Sequence, residues 1–442
     1  MEKKQYKKDF IRYAFINVIA MLGLSCYILA DTFFISRGLG ANGLTALNLA
    51  IPIFNFISGT GLMLGMGGAT KYAILVAQNE KKRANRIFTN TIYIAAIISI
   101  LYVFIGFFYS ERIAVRLGAN TEVLEMTNTY LKVSLLFAPA FILNNILICF
   151  MRNDGNPKLA MIASLSGSFS NVILDYLFIF PFKMGIFGAV FATGLAPIIS
   201  IIVILPYLLR GKQQFSLDLR KPDKAIAATI FMLGIPSLIV EISSGIVVII
   251  FNIIILRIAG NVGVAAYGVI TNLSLVVIAI CTGVAQGMQP ITSKAYGSGN
   301  MKMAKYIFSL ALKLTCIMTV VIYCLTYIFA NPIAGIFNNE GNLLLQEIAV
   351  KGLRLYFIGM LFAGINVVMS MYFSSTERIV PAHTITLLRG IIIIIPVAFI
   401  LSTLIGLTGT WISFPATEFI VLMIGIVFLA RNRRKIESSE KV

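Results

Sequence analysis

Residues 61–70 read Gly-Leu-Met-Leu-Gly-Met-Gly-Gly-Ala-Thr, and 222 residues later the chain reads Gly283-Val-Ala-Gln-Gly-Met-Gln-Pro-Ile-Thr292. Downstream, Ala84, Ile87 and Phe88 return as Ala304, Ile307 and Phe308, and upstream Arg37, Gly40 and Gly43 return as Arg257, Gly260 and Gly263, both at an offset of 220. Each match is weak alone. Three at nearly one offset describe a duplicated unit.

What is duplicated is a set of membrane helices. Of 442 residues, 58% are hydrophobic and 12% charged, and the mean hydropathy is +0.90, far from the composition of a soluble domain. Apolar runs of about 20 residues or more, the length that crosses a ~30 Å hydrocarbon core, occupy residues 10–35, 44–75, 87–109, 130–151, 159–180, 186–209, 225–256, 265–291, 307–329, 353–373, 382–404 and 411–430. These are spans 1 to 12. A transmembrane barrel would show alternating segments of about ten residues instead. The repeat offset covers six spans, an even number, so the halves enter the membrane in the same direction and are related by an axis along its normal. The expected fold is all-α, with an N-terminal six-helix lobe (1–215) and a C-terminal one (216–442). The basic stretch Arg210–Lys224 joins them, and the cleft between them is the natural path for a substrate.

Basic residues set the orientation. Twenty-four Lys and Arg, including Lys3, Lys4, Lys7, Lys8, Arg152, Lys158, Arg210, Lys224, Arg433, Arg434, Lys435 and Lys441, flank the spans on one side, against six on the other. Both termini are therefore expected in the cytoplasm, with the chain a multi-pass protein of the cell's inner membrane. The first span carries Asp31, is too long for a cleaved signal and lacks a small-residue cleavage pattern. The formal charge of +18 follows from this topology and calls for anionic lipid, with no need of nucleic acid. Cys26, Cys149, Cys281, Cys316 and Cys324 all fall inside spans without metal-ligand spacing, so free thiols are expected.

Against that apolar background Asp31 and Asp175 stand out, because an ionisable residue in a span is costly and marks a functional site by default. Counting along the spans puts both at one depth in the outer half of the membrane. Thr193, on inward-running span 6, shares that depth. Asn171 is four residues before Asp175 and so lies on the same helical face, one turn deeper. Two carboxylates at this level cannot both stay ionised without a large penalty, so the pair is expected to titrate as a unit and to take up H⁺ or Na⁺. Glu241, five residues after Pro236 in span 7, is a further acid, expected to face a cationic substrate or to take a proton. Glu418 in span 12 is either functional or a protonated glutamate bonded to a neighbouring helix. Arg389 is expected to snorkel to the near interface, His383 to be interfacial, and Trp411 to anchor span 12 at the outer surface. Met21, Met63, Met66, Met288, Phe54 and Phe56 are available to line the cleft with polarizable groups that suit varied lipophilic cations. Pro52, Pro139, Pro197, Pro236, Pro290 and Pro396 interrupt spans at membrane depth, and Pro290 with Gly287 is a candidate flexing point.

The runs Ala30-Asp-Thr-Phe-Phe-Ile-Ser-Arg-Gly-Leu-Gly40, Arg152-Asn-Asp-Gly-Asn-Pro157, Asn171-Val-Ile-Leu-Asp-Tyr-Leu-Phe-Ile-Phe180 and Gly185-Ile-Phe-Gly-Ala-Val-Phe-Ala-Thr193 resemble those of multidrug and toxic compound extrusion (MATE) transporters. The MepA-like bacterial branch is the nearer likeness. The resemblance extends over essentially the whole chain. It implies a V-shaped, twelve-helix antiporter that expels cationic amphipathic compounds in exchange for H⁺ or Na⁺; separately, a monomer without a cofactor is expected. It also implies a cation site at Asp31, Asn171, Asp175 and Thr193. Two departures stand against the family pattern. Span 10 offers Asn366 and Ser370 but no acid to pair with Glu241, so a complete C-terminal Na⁺ site is not expected. Span 1 reads Phe15-Ile-Asn17 where family members commonly carry a proline linked to helix bending.

Other classes fit less well. A lipid-linked sugar flippase of the same superfamily would need several arginines in its cleft to hold pyrophosphate, and Arg389 is the only one well inside a span. An enzyme would need a nucleophile motif, a metal cluster or a phosphate loop, and none is present. A passive channel has no use for paired acids beside a two-lobed repeat. With no ATPase domain in the sequence, coupling falls to an ion gradient.

Overall fold

The computed structural model describes residues 2–218, 220–338 and 341–439, with the side chains of 3–431 among them; Lys441 and the side chains of Arg433, Arg434 and Lys435 lie outside the described residues. The described residues form helices joined by short turns. They are α1 Glu2–Ala77, α2 Lys81–Arg116, α3 Leu124–Leu136, α4 Ala138–Asn153, α5 Pro157–Ile179, α6 Gly185–Leu209, α7 Lys224–Gly297, α8 Met301–Ile328, α9 Ala330–Phe337, α10 Leu343–Tyr356, α11 Ile358–Ser375, α12 Ile379–Leu387 and α13 Ile394–Ser439, with a π-helical turn at Leu388–Ile392. Eight stretches are long and apolar enough to cross a membrane, and the pair α3 and α4, bent by 48°, makes a ninth. Three of these stretches each hold two spans: α1 breaks at Gly40, α7 at Gly260, and the stretch ending in α13 at Ile405 and Gly406. The twelve expected spans are all present.

The repeat is written into the backbone. Gly40 (φ 67°, ψ −157°) and Gly260 (φ 62°, ψ −159°), 220 residues apart, make the same sharp reversal between consecutive spans, a conformation that a side chain would obstruct. Phe137 and Phe357, again 220 apart, each interrupt a span between two helices. Pro139, two residues after the first break, has no N–H to offer the preceding turn. Span 11 breaks for a related reason. Pro396 lacks a donor and crowds the carbonyl of Ile392, and just before it the ladder widens to a π-turn in which Ile393 N–H bonds to Leu388 at 2.9 Å.

The two halves meet closely near the end of the bundle that holds both termini. A Cβ built on Gly67 of span 2 would lie 2.0 Å from the Ile230 carbonyl oxygen of span 7, and one on Gly234 would lie 1.9 Å from that of Met63. On the other side of the seam a Cβ on Gly287 of span 8 would lie 2.6 Å from Ala14 Cα of span 1. The glycines of the repeated motif are thus contact residues, letting backbones touch where apolar surface alone gives helices in lipid little drive to associate. Pro290 with Gly287, read from sequence as a flexing point, is buried inside this packing and lies in continuous helix.

The joining stretch is strapped to the first half. Gln214 N–H donates to the Asp154 carboxylate (3.1 and 3.2 Å), Ser216 N–H to Asn85 (3.1 Å), Asp218 N–H to Thr89 Oγ1 (2.8 Å) and Asp223 N–H to Asn90 (2.8 Å). Phe215, 2% exposed, is wedged among Phe88, Phe150 and Tyr72. Burial pushes the Asp154 carboxyl above its ordinary range, an effect opposed by the Gln214 amide and the Tyr72 hydroxyl that donate to it. Asp223 then caps α7, accepting from Ala225 and Ile226 N–H.

Candidate functional site

Asp31, Asn171, Asp175 and Thr193 converge. All four are buried, Asn171 and Asp175 completely. The carboxyl groups of Asp31 and Asp175 lie close enough to interact directly, and no Lys or Arg among the described residues pairs with either. One oxygen of each, Oδ1, is buried without a partner. In the orientation that satisfies its amide, Asn171 donates to Asp175 Oδ2 at 3.1 Å and accepts from Thr193 N–H at 3.2 Å. That amide therefore spends one of its two hydrogens on the acid. Thr193 Oγ1 donates to Ala189 O at 3.1 Å. Pro197, four residues on, removes the donor that would normally occupy the Thr193 carbonyl, leaving one more oxygen at this level.

Two residues join the cage that the spacing argument missed. Tyr130, 3% exposed at the start of span 4, lies within electrostatic range of both acids. Tyr27 lies within range of Asp31, Asp175 and Glu241 together. The signal for Tyr27 was available: it precedes Asp31 by four residues, as Asn171 precedes Asp175.

Glu241 lies between the halves. It is half-buried, its Cβ is 3.1 Å from where a Cβ on Gly59 of span 2 would be, and its carboxylate has no salt-bridge partner among the described residues. Phe54, half-buried, stands edge-on to Phe141 with ring centroids 5.2 Å apart, and Met21 is half-buried on span 1. Met63 and Met288 are placed differently from the cleft expected of them. Met63 is 5% exposed with its backbone against Gly234, and Met288 is fully buried beside Phe10 and Ala14. Both belong to the closed seam, because the glycines around them draw the helices together there.

Two expectations for the second half, those for Arg389 and Trp411, are corrected. Arg389 does not snorkel: its Nε and Nη2 donate to Glu418 Oε1 at 3.1 and 2.8 Å, and Asn366 donates to Glu418 Oε2 at 2.7 Å. Glu418 is 2% exposed, so its buried carboxylate holds the arginine inward. Trp411 is not a surface anchor. It is wholly buried and stacks on Tyr267 at 6.0 Å, within a cluster that includes Phe251, Tyr356 and Phe414. His383 bonds across helices to the Met232 carbonyl at 2.7 Å, the carbonyl left without its helical donor by Pro236. Nor is Arg389 the only interior arginine, since Arg152 is 3% exposed.

Comparison with known proteins turns on the duplicated architecture. The MatE family model matches twice, over residues 17–177 and 236–400. The chain belongs to the MatE family. Relatives extend over the whole length: it is 28% identical to a multidrug export protein MepA of Staphylococcus saprophyticus, covering 99% of this chain and 97% of that protein. It is 27% identical to one of Staphylococcus aureus, covering 100% and 98%. Among solved structures, one described as MATE in complex with MaL6 superposes with a TM-score of 0.92 at 23% identity, over 99% and 98% of the two chains. An outward-facing multidrug resistance MATE family transporter of the MOP superfamily gives 0.92 at 22%, over 99% and 97%. The MatE chain is thus an all-helical, multi-pass membrane transporter with the MATE fold.

Proposed function

We propose that this MatE chain is a secondary antiporter that exports lipophilic, cationic drugs in exchange for H⁺ or Na⁺. Asp31, Asn171, Asp175 and Thr193 form the coupling site, and lobes 1–215 and 216–442 alternate access to the cleft between them. The observation that carries this reading is the pair of adjacent, buried carboxyl groups with no cationic side chain among the described residues to neutralise them. Such a pair binds a small cation in one state and releases it in another, which biases the two states differently. The relatives named as multidrug export proteins support the substrate class. With the excess of basic residues marking the cytoplasmic side, the end that holds the termini faces the cell interior and the closed seam lies inward. The interior arginines do not form a cage for a lipid pyrophosphate: Arg389 is neutralised by Glu418, and Arg152 lies in the seam. Expression of the chain in energised cells should lower accumulation of ethidium-like dyes, and collapse of both ion gradients should restore it. Reconstitution with pH and Na⁺ gradients imposed separately identifies the ion; normal dye accumulation with transport of a lipid-linked sugar would overturn the reading.

Glu241 divides the labour with the coupling site. A carboxylate facing the cleft without a partner attracts a lipophilic cation, whereas the paired acids exchange the coupling ion. Glu241→Gln should raise the dissociation constant of a cationic dye about tenfold, equivalent to about 1.4 kcal/mol, while proton release on dye addition is largely kept. Asp175→Asn should do the reverse. Equal loss of both quantities in both variants would mean one shared site.

A further inference from the structure

The seam between the halves contains a charge that neither the coupling site nor the substrate path uses. Arg152, at the end of α4, is 3% exposed and has no acidic partner among the described residues. Its guanidinium donates to Asn17 Oδ1 at 3.0 Å, to Gln286 Oε1, and to the sulfurs of Met66 (3.5 Å) and Cys149 (3.2 Å). Asn17 is held in turn by its own bond to Tyr13 O at 2.8 Å. Of these partners only Gln286, on span 8, comes from the other half of the molecule. Next to it Asn153 and Gln289 pair amide to amide at 3.1 Å, and Gln289 reaches Thr70 and Ser293. The pairing of Arg152 with Gln286 is not inherited from the duplication. The repeat puts Tyr372 opposite Arg152 and Leu64 opposite Gln286, so the device exists once.

We infer that Arg152 and Gln286 form the latch of the inner seam, so that the cytoplasmic side closes only when Gln286 docks onto a guanidinium that cannot be left dry without it. A buried cation needs its hydrogen bonds met, and removing one acceptor leaves charge uncompensated in an apolar place. When the halves part, water replaces Gln286. An acid at that position would bind the arginine too firmly to release in each cycle, whereas a neutral amide closes the seam reversibly. The orientation, inner side closed, rests on the function proposed above; the latch itself does not depend on the substrate or the coupling ion.

Cys149, fully buried and in contact with the guanidinium, reports on the latch. In a chain with the other four cysteines replaced by alanine, a membrane-impermeant maleimide is applied to inverted vesicles and, separately, to right-side-out ones. Gln286→Leu, the residue the repeat carries at the matching position, should label Cys149 about tenfold faster than the parent, and only from the inner face. Adding Arg152→Met should return labelling to within about twofold of the parent, because with the charge gone nothing demands the missing acceptor. No acceleration in Gln286→Leu would overturn the latch. So would a double variant that labels as fast as Gln286→Leu alone, since the effect would then be one of packing. A chain retaining only Cys281, buried inside the second half against Gly364, guards against general loosening. Faster labelling there in Gln286→Leu would also overturn the proposal. Because no dye or gradient enters the measurement, its failure is separate from failure of the antiport reading.

Discussion

Asp175→Asn and Asp31→Asn should each lower gradient-driven efflux about a hundredfold while leaving helix content and elution behaviour unchanged. Asparagine keeps the shape of the side chain and can still accept from Asn171, whose amide lies 3.1 Å from Asp175 Oδ2. What it removes is the ability of the pair to carry a charge that must be neutralised. With one carboxyl left, the ion no longer binds the two conformations with very different affinities. A transporter needs about a 10⁴-fold difference to swing from 1:99 to 99:1. The check is dye uptake into proteoliposomes under an imposed pH or Na⁺ gradient, beside downhill dye movement without one. A double Asn variant that still concentrates dye would move the coupling site elsewhere.

The second large effect is on stability. Arg389→Met should destabilise the protein by about 3–5 kcal/mol, the range for a buried ion pair broken on one side. Glu418 would be left 2% exposed with only the Asn366 amide for company. Replacing both partners, Arg389→Met with Glu418→Gln, should recover most of the loss, because no uncompensated charge remains. Thermal unfolding of the purified protein in detergent reads both variants. A single variant as stable as the parent would show that the pair contributes nothing to stability.

The fold was legible because its determinants are local or periodic. Span length follows from hydropathy, direction from an even count, and the reversals at Gly40 and Gly260 from a glycine repeated at a fixed offset. The convergence of Asp31, Asn171, Asp175 and Thr193 was legible for the same reason, since depth along a helix is a count. Arg389 could not be placed that way. Whether a long cationic side chain turns outward or inward depends on what a distant helix presents, and Glu418 lies 29 residues away on another span. Trp411 failed similarly: an outer-end position is an interface only if no neighbouring span covers it, and Tyr267 does. Arg152 was counted as a topology signal at the end of span 4, which its backbone position justifies. Its side chain instead turns into a seam that only packing of the two halves creates.

The strap between the halves has a mechanical implication. Backbone bonds anchor it from Gln214 to Asp223, and α7 begins at the next residue, so almost no slack chain separates the first half from the second. The chain tethers the two halves at this one point, like a door on a single pin, so rotation about it is easier than sliding past it. Span 7 runs about 48 Å from there to its far end at ~1.5 Å per residue. A rotation of about 10° at the pin therefore sweeps the opposite mouth by roughly 8 Å, so small rearrangements beside Asp223 become wide excursions at the far end.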